Sequence, residues 1–323
     1  MRDRILVRCH SLFTEYARKG IVSEWLFAAS IAIAASAAAC SGSSNAGASG
    51  TGAGPASGGA TSGDSGAGTG CIGGLDTLQS KTGLCVAKMA KIPAPTGATD
   101  YSIDVTEVTR EQYEAWVATN PVLPASADAN CGWKSTGSYA ADSACMTDFI
   151  ASDCTNGCVH YPMACVDWCD AYAYCTAVGK RLCGAIGGGT NPVANFADAN
   201  SSQWYRACSS GGTNVYPYGN TFGETTCNGQ GYWFPSTTYM ALAVGTLTGC
   251  QSSVLGYTGV SDLSGNVWEW EDSCLADGRT GECYQRGGCF DFDYDGRLRC
   301  DFDYHSYTRE TAFGNIGFRC CSQ

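Results

Sequence analysis

The run Ser261–Cys274, SDLSGNVWEWEDSC, crowds Asp, Gly, Asn, two Trp and Glu into one short segment that is neither a helix pattern nor an uninterrupted strand. Gly265 and Asn266 form a turn signal, and Trp268 and Trp270, two apart, fall on one face of the strand that follows. The run reads as a turn leading straight into buried aromatics. Asp262, the carbonyls around Gly265, and Glu269 are all oxygen donors, the ligand type taken by a hard cation such as calcium. The competing reading has Asp262 cap the turn and pairs Glu269 with an arginine, Arg286 or Arg319.

Outward from this run, two helices are well marked. Thr109 can cap a helix with Gln112 three residues on, Tyr113, Trp116 and Val117 form its apolar stripe, and Asn120-Pro121 stops it. A second helix is capped by Asp167, with Trp168, Ala171, Tyr172, Cys175 and Val178 as a core stripe. The chain before the first helix, from Tyr101, alternates like a strand. Between the helices, Cys131 to Cys158 is a Cys-rich polar excursion; after them, residues 187–202 read as a loop. From Tyr216 onward, aromatic segments between Gly and Asn turns predict short strands. DFDY occurs twice, at Asp291–Tyr294 and Asp301–Tyr304, and strict alternation puts each Asp pair on one strand face. The class is α+β, with much irregular backbone stapled by disulfides.

The first 70 residues add little to a core. Trp25–Ala39 is an apolar stretch after Arg18 and Lys19, ending in small residues and too short for an ordinary membrane span, so residues 1–39 read as an export signal. Cys40, directly after that run, resembles the lipid-bearing Cys of a bacterial lipoprotein signal, although the run lacks Leu and the stretch before it contains Glu15 and Glu24. Residues 41–70 are almost wholly Gly, Ala, Ser and Thr and cannot bury enough apolar surface to fold; as a flexible tether they reach about 30 Å. Residues 71–323 form the single expected domain.

Without the five basic and three acidic residues of 1–39, 14 Lys and Arg stand against 27 Asp and Glu, which disfavours nucleic acid and anionic membrane as partners. Membrane contact is expected only through the anchor. Of the 21 Cys, Cys9 and Cys40 precede the domain, leaving 19. That density in an exported chain means disulfides, and an odd number leaves at least one Cys without a partner in the domain.

Seven blocks follow in order: DVTEVTREQYEAWV (Asp104–Val117), CVDWCDAYAYCTAVGKRL (Cys165–Leu182), QWYRACSSGG (Gln203–Gly212), YPYGN (Tyr216–Asn220), VSDLSGNVWEW (Val260–Trp270), RGG (Arg286–Gly288) and IGFRC (Ile316–Cys320). Together they resemble the formylglycine-generating enzyme, or sulfatase-modifying factor, family. The resemblance implies a C-type-lectin-like fold. It also implies a calcium site formed by Asp262 and Glu269 side chains with the Gly265 and Val267 carbonyls, and a second calcium site beginning at Asn228 and Gly229, for which the chain downstream offers no evident acidic partner. Catalytic relatives hold copper(I) between two Cys after RGG, because soft thiolates select that ion. Here the segment is RGGCFDFDYDGRLRC; no Cys pair has that spacing, and Cys289 stands where the family has Ser. Cys289 and Cys300 are the candidates for a relocated copper site. Pairing of Cys300, on an expected RLRC strand, with Cys320 is the plainer expectation, and Cys274 and Cys283 are further disulfide candidates.

The domain has only two His, His160 and His305, so neither an iron site with two His and a carboxylate nor a Ser-His-Asp or Cys-His hydrolase is supported. The Gly-rich GAIGGGTNP (Gly184–Pro192) lacks the Lys of a phosphate-binding loop. The sequence thus points to a calcium-stabilised binding or scaffold module. Its expected ligand face carries Asp291, Asp293, Asp301 and Asp303 and suits an exported protein, a cationic peptide or a carbohydrate. Competing readings are a copper-dependent oxidase of side chains, a structural envelope lipoprotein, and a merely solvated Asp face.

Overall fold

The computed structural model describes residues 77–79, 83–122, 129–134, 139–149, 158–236, 239–291, 295–303 and 306–322, all within the compact unit Gly66–Gln323. The expected signal, Cys40 and the tether lie outside the described residues. The strands are β1 (Thr77–Gln79), β2 (Cys85–Ala87), β3 (Met89–Ile92), β4 (Tyr101–Asp104), β5 (Arg181–Leu182) and β6 (Trp268–Cys274). β7 (Glu282–Arg286), β8 (Ser306–Thr308), β9 (Ile316–Gly317) and β10 (Cys320–Cys321) follow. Between them lie α1 (Arg110–Val117), α2 (Ser143–Phe149), α3 (Trp168–Ala177), α4 (Gln203–Cys208) and α5 (Gln230–Trp233).

Helix α1 begins where the sequence says it should. The Thr109 hydroxyl accepts from the Gln112 amide while Gln112 Oε1 accepts from the Thr109 amide, and Asn120, at φ 52°, turns the chain away after the last turn. Its buried Tyr113 and Trp116 meet Tyr174 of α3 at 5.7 and 5.6 Å, and Tyr174 meets Phe318 at 5.6 Å. Trp268 and Trp270 of β6 share this core. A second core gathers Ile92, Ile103, Trp204 and Leu263.

The sheets are short and closed by long-range pairing. One has the order β3-β4-β10-β5, so the C-terminal strand sits in its centre; the other runs β8-β7-β6-β9. A two-residue strand makes few ladder bonds, and two disulfides hold β10 instead: Cys175–Cys320 from α3 and Cys183–Cys321 from just after β5. Cys175 lies in the core, as its helical spacing predicts, and is a disulfide partner as well. Cys131–Cys169 and Cys145–Cys165 staple the polar excursion to the start of α3, and Cys274–Cys283 links β6 to β7.

Three expectations are corrected. Cys300 pairs with Cys208, and Cys320 with Cys175, because β10 inserts beside α3 and leaves Cys300 facing α4. The RLRC segment is a 3-10 turn over Asp295–Leu298, not a strand, and the described parts of both DFDY repeats are turn or irregular. The Arg299 guanidinium closes on Asp301 two residues away with two bonds of 2.7 Å, a local pairing that replaces a ladder. Residues 216–267 form no strand among the described residues; their backbone bonds close turns such as Tyr216–Gly219, and Cys227–Cys250 ties the segment to itself.

The start of α3 holds a buried charge cluster. Lys134 Nζ lies 2.6 Å from Asp167 and also binds Asp170, whose carboxyl is pushed up to about 7, first by burial and then by the neighbouring Asp167 charge. A carboxyl whose folded pKa lies above its ordinary 3.8 favours the fold below 3.8, and this contribution is lost as pH rises through about 7. Asp170→Asn removes this titration, so its melting temperature should gain less than the wild type's when pH falls from about 8 to about 5. Equal gains would show that Asp170 does not titrate in this window.

Candidate functional site

The turn before β6 is held in a conformation few residues adopt. Asp262, Gly265 and Asn266 have φ values of 60°, 75° and 60°, and a Cβ on Gly265 would come within 2.4 Å of the Asn228 carbonyl oxygen. Glycine is required there, whereas Asp and Asn are the side chains that tolerate left-handed backbone best. Asn266 anchors the turn: its amide nitrogen donates to the Asn228 carbonyl, and its side-chain oxygen accepts from Asn228 Nδ2 and the Leu242 amide. Its Nδ2 donates to Glu107 Oε1 at 2.8 Å.

This geometry gathers three buried carboxylates, Glu107, Asp262 and Glu269, around the buried Arg319. Glu269 accepts from Arg319 through both oxygens, at 2.6 and 2.7 Å, and Oε2 also accepts from Trp204 Nε1 at 2.8 Å. Arg319 further donates to the Asp104 and Ser261 carbonyls. Asp262 Oδ2 accepts from the Gly245 amide at 2.6 Å. Glu107 Oε2 lies 3.9 Å from Arg319 and makes no hydrogen bond. Burial, then the Asp262 charge, holds Glu107 well above the usual carboxylate range, and burial pushes Asp262 up to about 6. Burial opposes the Arg319 charge, but Glu269 outweighs it and raises the guanidinium pKa.

The expected calcium ligands Asp262 and Glu269 thus reach the same cluster, but Glu269 does not fit the role as found, since Arg319 and Trp204 engage both its oxygens. Of the two arginines considered for Glu269, Arg319 is its partner, while Arg286 lies 3.4 Å from Glu271. Among the described residues, no three His, Cys, Asp or Glu side chains converge as a metal group. At the start of the expected second site with Gly229, Asn228 Oδ1 accepts from Trp233 Nε1 and its Nδ2 donates to the Met240 carbonyl and to Asn266 Oδ1.

On the other flank of β7, the RGG block is structural. Arg286 stacks on Phe196 at 3.5 Å and donates to the Phe196 and Cys300 carbonyls. Cys289, next in the chain, is the free cysteine among the described residues and is fully buried. Its thiol donates to Asp291 Oδ1 at 2.8 Å and accepts from Asn315 Nδ2 at 3.5 Å; burial, then the Asp291 charge, pushes its pKa well up. It is therefore held as a thiol, the weaker nucleophile and metal ligand. Cys300 is oxidised, so Cys289 and Cys300 do not form a dithiol. Of the expected ligand face, Asp291 and Asp303 are exposed, Asp301 is bound and pKa-lowered by Arg299, and Asp293 lies outside the described residues.

Sequence reasoning missed Glu107 and Trp204, and read Asn266 as part of the turn without its side-chain bonds. The signal for Glu107 was present: an acid set between Val105 and Val108 in an alternating stretch is placed for burial.

The architecture is that of a disulfide-rich α+β domain, consistent with the seven blocks. Residues 78–323 match the sulfatase-modifying factor enzyme 1-like domain, and the chain belongs to that family. It is 28% identical over 183 residues to the formylglycine-generating enzyme of Mus musculus, a match covering 50% of this chain and 44% of that protein. Among solved structures, it resembles CarF at 20% identity, covering 77% of this chain and 96% of that one, with a TM-score of 0.45. It also resembles PvdO from Pseudomonas aeruginosa at 15% identity, over 76% and 97% of the two chains, with a TM-score of 0.43.

Arg319→Leu leaves three buried carboxylates without their guanidinium and should cost at least about 3 kcal/mol in urea unfolding at neutral pH. A loss under about 1 kcal/mol would mean that the cluster is neutralised in another way.

Proposed function

We propose that this chain is an exported, lipid-anchored member of the family that works as a binding module rather than as a formylglycine-generating oxidase. The observation that carries the reading is the state of its cysteines. The segment after RGG offers one buried thiol hydrogen-bonded to a carboxylate, and the other Cys of that segment is locked in a disulfide. Two thiolates on one copper(I) ion need the opposite environment, in which thiol pKa values are lowered. The abundance of disulfides supports an oxidising compartment, which accords with the sequence of residues 1–39 and with Cys40 as the lipid-bearing residue.

The ligand face consists of the exposed Asp291 and Asp303, the second of them next in the chain to the partly buried ring of Phe302. Acidic side chains beside aromatic rings suit a cationic segment of an exported protein, since Lys and Arg gain from both groups. A carbohydrate is the alternative ligand. A copper-dependent oxidase is the competing activity, formylglycine generation being what the name of the mouse relative states, and a structural envelope lipoprotein is the reading without a ligand.

Lysine-rich and neutral peptides, presented beside a glycan panel to the purified full chain, test this. Asp291→Asn with Asp303→Asn should weaken lysine-peptide binding roughly tenfold and make it less salt-sensitive. Binding unchanged by the double substitution rejects this face as the cationic-ligand site. Oxygen-dependent conversion of Cys in a sulfatase-derived peptide by the copper(I)-loaded chain contradicts the non-catalytic reading.

A further inference from the structure

Asp291 is exposed, yet its carboxylate is tied to the interior. The thiol of Cys289, two residues before it and fully buried, donates to Asp291 Oδ1 at 2.8 Å. That thiol is fixed from behind: Asn315 Nδ2 donates to its sulfur at 3.5 Å, and the Asn315 carbonyl accepts from the Trp268 amide at the head of β6 at 2.8 Å. Between the two residues, the Phe290 amide donates to the Asn266 carbonyl at 3.0 Å and the Phe290 ring is buried, so the backbone that carries Asp291 is pinned to the left-handed turn. Gly288, at φ 78°, brings the chain into this position where a Cβ would come within 2.7 Å of the Arg297 carbonyl oxygen. An exposed aspartate ordinarily gives up rotamer freedom when it binds a cation; one already held from the inside has less to lose. A thiol is also a weak donor, so it orients the carboxylate while leaving its negative charge for a ligand.

We propose that Cys289 is a positioning residue of the ligand face: its buried thiol sets the Asp291 carboxylate in the geometry in which it meets a lysine ammonium of the bound peptide. The inference rests on the reading of Asp291 as a ligand-face residue and deepens it. It gives the free cysteine of the described residues a role that needs neither a disulfide nor a metal. It also separates Cys289 from a cysteine that only fills space, since a space-filling residue acts on the fold as a whole, whereas a positioning residue acts on affinity through one carboxylate.

The test is the affinity of the purified full chain for a lysine-rich peptide, measured by calorimetry, with the melting of each variant followed in parallel. Cys289→Ala should bind roughly threefold to tenfold more weakly than the wild type. Cys289→Val, which refills the space without a donor, should show the same loss and serves where Cys289→Ala does not fold. Cys289→Ser, whose hydroxyl can still donate, should recover most of the affinity. In an Asp291→Ala background, Cys289→Ala should change affinity no further, while in an Asp303→Asn background its effect should persist. Wild-type affinity in the folded donor-free variants, or an equal loss with and without Asp291, overturns the positioning role and leaves the ligand face standing. Absence of lysine-peptide binding by the wild type overturns the ligand face and this inference with it.

Discussion

Arg319 is the bond on which the interior turns. Its guanidinium reaches the Asp104 carbonyl at the end of β4, the Ser261 carbonyl at the start of the left-handed turn, and both oxygens of Glu269 on β6. Next to it, the Cys320 amide donates to Asp104 Oδ2, so one stretch of the C-terminal segment joins both four-stranded sheets and the turn between them. No apolar side chain can do this, because all three partners present oxygen atoms in a dry interior and each demands a donor. A Lys cannot replace it either, since a single ammonium cannot span so many acceptors in a fixed plane.

The same economy of regular structure explains the disulfides. Strands of two and three residues bury too few ladder bonds to fix their own order, and the segment 216–267 closes its backbone bonds in turns. Cross-links between residues 145 and 138 positions apart restrict the unfolded chain most, and they fall at the central strand β10, where a slip in pairing would damage both of its neighbours. Charge and covalent bonds hold in place an irregular backbone that the sheets alone do not. The turn can then present Asp262 and Asn266 in left-handed conformations that the surrounding structure over-determines.

Local signals were legible in the sequence. The Thr109–Gln112 capping box, the Asp167 cap, the Asn120 stop, and the placing of Trp268 and Trp270 on one face all depend on residues within four positions of one another. Long-range pairing was not. The disulfide partners Cys175 and Cys320, the partner of Cys300, and the meeting of Glu107 with Arg319 are set by where the C-terminal strand inserts, and no spacing in the chain encodes that. The DFDY repeats show the converse error: their alternation looks like a strand, but an Arg two residues from its Asp can satisfy it locally, and the turn prevails. The order of the seven blocks made the family legible, while the changes within the RGG segment made its chemistry a separate question.

That question turns on how many thiols the RGG segment offers to a metal. The most direct measurement is a mass-spectrometric map of free thiols in the full chain, purified without reductant and repeated after exposure to copper(I). The account predicts that Cys300 is found bonded to Cys208, that Cys289 is free and reacts only when the chain is unfolded, and that copper(I) changes neither. Finding Cys289 and Cys300 both free and protected together by copper(I) would contradict it, because the segment would then hold the pair of soft ligands that an oxidase needs.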